Sequence, residues 1–487
     1  MAKRGDAGAA TGDDPSSGGG PERVVIVGGG ITGLAAAWEL QRRAPAVEVT
    51  VVEASGRLGG KIATEHITLD DGSRMVVEGG PDAFLTSKPA AVELARELGL
   101  GDRLLGTNDA HRVVFVLKDG RPVPMPAGMN LAVPTQLRAF LRSPLVSPLG
   151  KARTLLDLVI PGKADLGDES LADFVRRRLG REMLETIAEP MMAGIYSADP
   201  DRQSMAATFP RFREVEAARG SLIRGMRAAR SAAPRNRSGL SVFASFLGGM
   251  EELTTALVGQ LAVDVRLATR VERIARTDGG YVVALDNGES LAADAVIVTV
   301  SARAAGPLLA DVAPDAAPHL ASLRTVSTGA VTLAYRDVDV YDPLRGFGIV
   351  IPRREGRPIN AITVASTKFS GRAPSETTLL RVFFGGDRSP GTLALDDEDL
   401  LALVRREVAN VMSTAGPPVW HRIDRWSDAN PQYDVGHLDR VSAIEAALPP
   451  GLVVAGSPYR GVGIPDCVAQ GRAAARPIRA GRPRDAG

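Results

Sequence analysis

Glycines and one acidic residue near the N-terminus have the spacing of a phosphate-binding loop. Gly28, Gly30 and Gly33 are spaced as G-x-G-x-x-G. The first glycine permits a tight turn, the second admits a pyrophosphate, and the third lets helix and strand pack closely. Glu53 lies farther along, where its carboxylate would accept hydrogen bonds from ribose hydroxyls and disfavour a 2′-phosphate. The expected phosphate loop comprises Gly28, Gly29, Gly30, Ile31, Thr32 and Gly33. A tight turn in a ligand-free domain is the alternative.

The elements around this loop have the order that a dinucleotide site requires. Residues 24–27 read Val-Val-Ile-Val, which predicts a buried parallel strand. Residues 34–43 have helical periodicity, and residues 48–52 form a second strand pattern ending beside Glu53. The helix N-terminus would present free N–H groups and a partial positive charge to the phosphates.

Three later segments favour FAD over NAD. Arg57 can reach phosphate or neighbouring acids, with a surface ion pair as the alternative, and Gly59-Gly60-Lys61 follows it. Gly79-Gly80-Pro81-Asp82 offers a second close backbone approach. Near the C-terminus, Val462-Gly463-Ile464 joins a strand pattern to a helix. That helix N-terminus would stabilise the negative charge that reduction places on a flavin.

The remaining patterns predict an α/β fold with an inserted second sheet. Residues 137–230 are mostly helical in pattern. A turn at 286–288 is expected to pair strands 281–285 and 295–300. We expect an FAD-binding Rossmann-like domain, an antiparallel-sheet substrate domain and a helical subdomain. The expected FAD domain comprises residues 23–88, 239–303 and 423–479. The helical subdomain comprises residues 89–110 and 134–238, and the substrate domain comprises residues 111–133 and 304–422. Residues 1–22 and 480–487 are the expected tails.

Composition excludes several classes of protein. The 487 residues carry a formal net charge of +1, so no basic field indicates nucleic-acid binding. No apolar run is long enough for a membrane-spanning helix, and the N-terminus lacks the apolar core of a signal peptide. We expect a cytoplasmic protein, with peripheral membrane association left open. Cys467 is the only cysteine, and the five histidines lack metal-ligand spacing, so no metal is expected.

The segments GGGITGLAAAWEL, VVEASGRLGGKI, EGGPDAFLTSKP and YRGVGIPDCVAQGR resemble the protoporphyrinogen/coproporphyrinogen oxidase family. This family belongs to the FAD-dependent amine-oxidase-like flavoproteins. The resemblance extends from Arg23 to about Arg479, and the last two segments are the most specific. Within the family, the chain most resembles the soluble bacterial branch that acts on coproporphyrinogen III.

The resemblance also implies site residues. Besides the phosphate loop, the family's FAD contacts fall on Glu53, Ala54, Lys61, Gly79, Gly80, Pro81, Asp82, Val271, Trp426, Val462, Gly463 and Ile464. Val271 would lie on a third FAD-domain strand near the adenine, and Trp426 near the isoalloxazine, with a core tryptophan as the alternative. Membrane-bound members carry an arginine after the Gly-Pro pair, where this chain has Asp82. We expect Lys88 to hold a substrate propionate, with a solvated lysine as the alternative.

The implied activity is oxidation of coproporphyrinogen III to coproporphyrin III in haem b biosynthesis, with six electrons removed, oxygen as acceptor and hydrogen peroxide formed. The flavin would carry the redox step, and the sequence indicates no catalytic base. Further cations for the four propionates are expected among Arg112, Arg121 and the basic stretch 211–237. Partners would be the tetrapyrrole, oxygen and haem-pathway enzymes such as ferrochelatase. Protoporphyrinogen IX oxidation, amine oxidation and a non-catalytic flavin-binding role are the alternatives.

Overall fold

The computed structural model describes residues 22–163, 167–232 and 240–478. The tails expected at 1–22 and 480–487 lie outside these residues except for Glu22, as does the end of the basic stretch beyond residue 232.

A five-stranded parallel sheet combines strands from the N-terminal, middle and C-terminal parts of the chain. Its strands, in spatial order, are β12 (Asp264–Arg266), β2 (Glu48–Val52), β1 (Arg23–Val27), β16 (Ala295–Val298) and β22 (Leu452–Val454). β1 and β16 are almost wholly apolar because both faces of the sheet are covered. One face packs on the two helices α1 (Ile31–Arg43) and α17 (Ile464–Ala475). This confirms the Rossmann-like fold that the sequence predicts.

A seven-stranded sheet forms the second layer. Its strands, in spatial order, are β21 (Trp420–Pro431), β17 (Thr325–Arg336), β20 (Thr377–Gly385), β19 (Ile359–Val364), β18 (Gly348–Val350), β7 (Val114–Lys118) and β8 (Arg121–Pro124). All pairs are antiparallel except β18 with β7. One face packs on helix α15 (Asp397–Met412). Because β21 pairs with β17 through Pro431, residues 423–431 belong to this sheet, and the domain boundary expected at 423 is wrong.

Four small sheets complete the strand structure. Two of them have two strands each: β3 (Thr64–Thr68) with β4 (Arg74–Glu78), and β9 (Met129–Asn130) with β10 (Val133–Pro134). The third sheet consists of β5 (Phe84–Leu85), β11 (Phe243–Phe246) and β6 (Leu104–Gly106). The fourth consists of β13 (Val271–Thr277), β14 (Gly280–Leu285) and β15 (Ser290–Ala293). The hairpin expected at 286–288 joins β14 to β15, so the expected pairing with 295–300 is wrong. β16 lies instead between β1 and β22, where its four apolar residues are buried on both faces.

Helices surround both large sheets. The others are α2 (Ala90–Glu97), α3 (Leu137–Arg142), α4 (Pro148–Leu155), α5 (Leu171–Arg178), α6 (Arg181–Met183), α7 (Glu189–Tyr196), α8 (Met205–Thr208), α9 (Pro210–Arg219), α10 (Leu222–Ala232), α11 (Glu251–Gln260), α12 (Ala302–Leu309), α13 (Ala317–Ser322), α14 (Ala365–Lys368) and α16 (His437–Ala447). Helices α3–α10 share one apolar core, to which Val116 of β7 also contributes, as expected for a helical subdomain that packs on the second sheet. In the described ranges, no helix has the length and apolar character needed to cross a bilayer.

Candidate flavin site

The phosphate loop needs glycine at its two ends. Gly28 has a φ of +107°, in the left-handed region that side chains disfavour. A Cβ at Gly33 would lie 2.0 Å from the carbonyl oxygen of Gly28, so the turn closes only with glycine at both positions. α1 begins at Ile31, and no side chain caps it at Gly30. The first amides of the helix are therefore available to an anion, as phosphate binding requires.

Glu53 lies directly against this loop. Its carboxylate accepts hydrogen bonds from the Gly29 amide at 2.8 Å and from the Ser55 amide at 2.8 Å. The backbone of Glu53 also pairs with Arg266 of β12, which places the acid at the carboxyl edge of the parallel sheet. Ala54 is the next residue and is exposed. The structure thus brings the predicted ribose ligand to the phosphate loop.

Val271 lies on a different element from the one expected. It begins β13 of the separate antiparallel sheet, whereas the third strand beside β1 and β2 is β12. Val271 therefore does not lie on the third strand of the parallel sheet. Val271 is buried two residues beyond Thr269, whose amide donates to the Glu53 carbonyl. Its proposed contact with the adenine remains a prediction.

Arg57 organises the segment that follows Glu53. Its guanidinium donates to the carbonyl oxygens of Gly60 at 2.5 Å and Ile62 at 3.1 Å, so it clamps its own loop. The Gly59 amide donates to the Gly29 carbonyl at 2.9 Å and fastens the two glycine segments together. No ion pair of Arg57 is seen among the described residues; its phosphate contact remains a prediction.

Lys61 extends across the crevice beside this loop. Its Nζ donates to the backbone carbonyl of Ala429 in β21 of the other large sheet. The side chain keeps contact with solvent, yet desolvation by the surrounding protein lowers the pKa of Lys61. The lysine therefore lies in a deep but open crevice between the two sheets.

The turn from Gly79 to Asp82 packs directly against the backbone of the Lys61 segment, where the Gly79 amide donates to the Ala63 carbonyl. A Cβ at Gly80 would lie 1.8 Å from the Lys61 carbonyl oxygen, so only glycine allows this approach. Asp82 accepts a hydrogen bond at 2.7 Å from Nζ of Lys368. Desolvation would raise the pKa of the Asp82 carboxyl, but Lys368, Arg381 and Arg372 outweigh it and hold the pKa below its usual value.

The turn that contains Val462, Gly463 and Ile464 leads into α17, whose N-terminus at Gly463 has no side-chain cap. Tyr433 fixes the preceding residues: its hydroxyl donates to the Ser457 carbonyl and accepts from the Gly461 amide, each at 2.7 Å. Uncapped amides at this end of the crevice suit an acceptor group or a developing negative charge.

Lys88 contacts helix α17, and Trp426 lies on strand β21. Nζ of Lys88 lies 2.7 and 2.8 Å from the two carboxylate oxygens of Asp466, in the first turn of α17. Trp426 is partly buried on β21, with the guanidinium carbon of Arg381 5.8 Å from its ring centroid. Both residues lie beside the elements that carry the predicted flavin contacts, and their roles remain predictions.

Sequence reasoning missed the buried charges behind the Gly79–Asp82 turn. Arg372 and Arg381 are 2% and 4% exposed, and Arg372 pairs with Glu78 at 3.2 Å. One signal was present in the sequence, since Arg381 interrupts the apolar strand TTLLRVFFG. A charged residue inside a buried strand needs a partner of opposite charge or a hydrogen-bond acceptor nearby.

The crevice fits an extended dinucleotide such as FAD. Glycine backbone lines both the phosphate loop and its neighbour: a Cβ on Gly30 would meet only Gly60, at 4.0 Å, so there is open space above the loop. Glu53 and the uncapped N-terminus of α1 adjoin the loop, and α17, which also has an uncapped N-terminus, packs against α1. The acid for a ribose and the helix N-termini for anionic groups match the parts of this cofactor.

Fold and crevice together define an FAD-dependent oxidoreductase. Residues 31–479 match the family described as flavin containing amine oxidoreductase. The chain belongs to this family, and within it to the protoporphyrinogen/coproporphyrinogen oxidases that the sequence motifs resemble. The family assignment thereby confirms the expected cofactor and enzyme class.

Relatives of known sequence or structure agree with this assignment. Coproporphyrinogen III oxidase of Bacillus subtilis (strain 168) is 37% identical over 468 residues, covering 93% of this chain and 97% of the relative. Chloroplastic protoporphyrinogen oxidase of Oryza sativa subsp. japonica is 32% identical over 479 residues, covering 91% and 85%. A crystal structure from Exiguobacterium sp. 255-15 superposes with a TM-score of 0.82 at 34% identity, covering 94% of this chain and 98% of that one.

Proposed function

We propose that the chain oxidises coproporphyrinogen III to coproporphyrin III, with oxygen as acceptor and hydrogen peroxide as product. The observation that carries the proposal is the position of the Gly79–Asp82 turn. Asp82 of this turn lines a cavity with Arg381 of the seven-stranded sheet, and the Arg381 guanidinium carbon is 5.8 Å from the Trp426 ring centroid, so the turn would stand between bound FAD and this part of the sheet. A flat macrocycle held there would lie against both. FAD, when bound in the crevice, would be the electron acceptor.

The chain's own residues would bind and orient the substrate. Coproporphyrinogen carries four propionates, which need cations at the rim of the site. Lys88 is half exposed and is the first candidate, although a propionate would have to replace Asp466 as its partner. Arg112 and Arg121 are exposed and remain predictions. The site has no need of a protein nucleophile, because the macrocycle forms no covalent bond with the enzyme in this scheme.

Lys88→Ala tests the propionate contact. We expect KM for coproporphyrinogen to rise about 10-fold, the loss of one charge-assisted contact, while FAD content stays unchanged. Lys118→Ala is a matched control, since Lys118 donates only to the backbone around Pro144. An unchanged KM would exclude Lys88 from the site.

The alternatives are separated by reduced substrates. The similarity to the rice protoporphyrinogen oxidase keeps protoporphyrinogen IX as a second candidate. In anaerobic stopped-flow mixing of the FAD-loaded protein, we expect coproporphyrinogen III to bleach the flavin absorbance faster than protoporphyrinogen IX, and benzylamine or putrescine to leave it unchanged. Bleaching by an amine and by neither porphyrinogen would contradict the proposal. No bleaching by any of them would favour the non-catalytic role.

We further propose that the protein resides in the cytoplasm and associates peripherally with an anionic bilayer. Leu149, 84% exposed, and Val159, 74% exposed, are prominent apolar residues of the helical subdomain. The exposed Arg138 and Arg142 lie on the neighbouring α3. Asp157, the only acid between residues 137 and 163, is fully buried. Glu182 accepts hydrogen bonds from Ser147 near this surface. Exposed apolar side chains beside several cations suit an anionic lipid surface.

Vesicle co-sedimentation tests this association. Leu149→Asp should abolish binding to vesicles that contain anionic phosphatidylglycerol, whereas Val419→Asp, on the exposed side of another region, should not. Equal sedimentation of wild type and Leu149→Asp would contradict the proposal. Contact with ferrochelatase or other haem-pathway enzymes remains a prediction of the same kind.

A further inference from the structure

A small cavity lies behind the Gly79–Asp82 turn, where the turn meets the seven-stranded sheet. Its volume is about 20 Å³. Carboxylates of Glu78 and Asp82 line one side. Most of the remaining lining is apolar, from residues such as Phe369 and Leu379, and Thr332, Arg372 and Arg381 are its other polar members. A cavity of this size holds one water molecule when it has polar partners.

Three residues that line this cavity each carry a buried polar atom without a hydrogen-bond partner in the described part of the chain. These atoms are Nε of Arg381, Nη1 of Arg372 and Oγ1 of Thr332. The three residues are 4%, 2% and 2% exposed. A buried guanidinium N–H without an acceptor is costly, so native structures satisfy such groups with protein or ordered water.

The arrangement of charge favours water over an anion. Carboxylates and guanidinium groups both line the cavity, so an anion there would meet repulsion from Glu78 and Asp82. A water molecule can accept from two N–H donors and donate to a carboxylate at the same time. It would join Arg372 and Arg381 to Asp82, which Lys368 already holds from another side.

We propose that Arg381, acting with Lys368 and one water molecule bound in this cavity, is a positioning residue that fixes Asp82 and so the turn facing the flavin. The inference rests on the proposed placement of the flavin beside this turn. The fixed partners come from β20 and α14, both in the substrate-binding layer, whereas the turn follows β4. The network therefore sets the position of the turn relative to the sheet against which the substrate would lie.

Substitutions with flavin-based readouts test the proposal. Arg381→Met and Lys368→Met should retain FAD, shift the visible absorption and midpoint potential of the bound flavin, and lower kcat about 10- to 100-fold with a smaller change in KM, as misplacement of a site by about 1 Å does. Arg381→Lys keeps the charge but loses the planar donors, and should recover part of the loss. Arg425→Met is the control, because Arg425 pairs with Asp397 outside this cavity.

Coupling and direct observation complete the test. If Lys368 and Arg381 act through Asp82, their substitution in an Asp82→Asn background should cause no further change in the flavin spectrum. Additive changes would overturn the proposal, as would wild-type spectra in Arg381→Met. If Arg381→Met fails to fold, Lys368→Met decides the matter, since Lys368 is less buried. A high-resolution crystal structure should show the water molecule, and a dry cavity would overturn the role proposed for that water.

An experiment that contradicts the proposed function can be distinguished from one that contradicts the positioning role of Arg381. Flavin absorption and midpoint potential are measured without any tetrapyrrole. A wild-type protein that binds FAD but leaves porphyrinogens unchanged would contradict the proposed function, while the spectral shifts of the variants would still support or overturn the positioning role.

Discussion

The imidazole ring of His437 stacks on the phenol ring of Tyr433, with ring centroids 3.9 Å apart and planes inclined by 15°. Nε2 of His437 lies 2.7 Å from the Tyr459 carbonyl oxygen, which can only accept, so this nitrogen carries the proton. Because Tyr433 holds Gly461 and Ser457, the stacked pair supports the turn that leads to Val462–Ile464.

The buried His437 predicts a dependence of stability on pH. Desolvation lowers the pKa of His437 from 6.5 to about 4, with Arg440 contributing and the Tyr459 carbonyl opposing. Between these values the unfolded chain binds a proton that the native state rejects. The free energy of unfolding should therefore fall by about 3 kcal/mol as the pH is lowered from 6.5 to about 4.

Urea unfolding of the apoprotein at a series of pH values measures this dependence. The His437→Gln variant removes the titrating group, so the difference in unfolding free energy between wild type and variant should shrink as the pH falls through the same window. A difference that stays constant from pH 7 to 4 would contradict the assignment.

Tyr433→Phe should loosen the C-terminal turn without changing the aromatic packing. The variant leaves the Gly461 amide and the Ser457 carbonyl without the partner that they share, which costs about 1–3 kcal/mol for a buried group. We expect weaker FAD retention, measured by flavin fluorescence during dilution. Tyr341→Phe is the control, because Tyr341 is 67% exposed; equal retention in both variants would exclude the clamp.

The phosphate loop and its acid were predictable because both are local signals. Gly28 to Gly33 and Glu53 follow directly from strand and helix patterns that lie next to them in the chain. The pairing of Asp82 with Lys368 joins residues separated by 286 positions, and no local pattern indicates such a contact. Only the isolated charge of Arg381 within an apolar strand gave a hint of it.

The misplaced hairpin shows a different limit of sequence reasoning. The turn at 286–288 was recognised correctly, but the strand after it is the short Ser290–Ala293, whose small side chains give a weak pattern. The stronger apolar run Ala295–Val298 was mistaken for its partner. A wholly apolar strand is the pattern of a strand covered on both faces, which is its position in the parallel sheet.

Gly80→Ala should disrupt the crevice because the added methyl group has no space. A Cβ there would lie 1.8 Å from the Lys61 carbonyl oxygen, so the backbone of the turn or of the Lys61 segment must move. We expect FAD content to fall at least about 10-fold, since the turn is displaced by an ångström or more. Gly279→Ala is the control, because open space surrounds Gly279. Normal FAD content in Gly80→Ala, measured by absorbance, would contradict the close approach.

Asp157→Asn should destabilise the helical subdomain more than any surface substitution. Asp157 and Arg178 are both fully buried, and the carboxylate also accepts from the Ser221 hydroxyl at 2.7 Å and the Ile223 amide at 2.9 Å. The amide variant retains the size of the side chain but leaves the guanidinium charge without its main partner. Removing one partner of a buried pair costs about 3–5 kcal/mol.

Thermal unfolding followed by circular dichroism and limited proteolysis checks this prediction. Because helices α3–α10 share one apolar core, cleavage should begin in this subdomain while the FAD absorbance persists. Asp311→Asn is the matched control, since its pair with Arg273 is about two-thirds exposed and should contribute at most about 1 kcal/mol. Equal unfolding temperatures for the two variants would show that the buried pair does not hold these helices together.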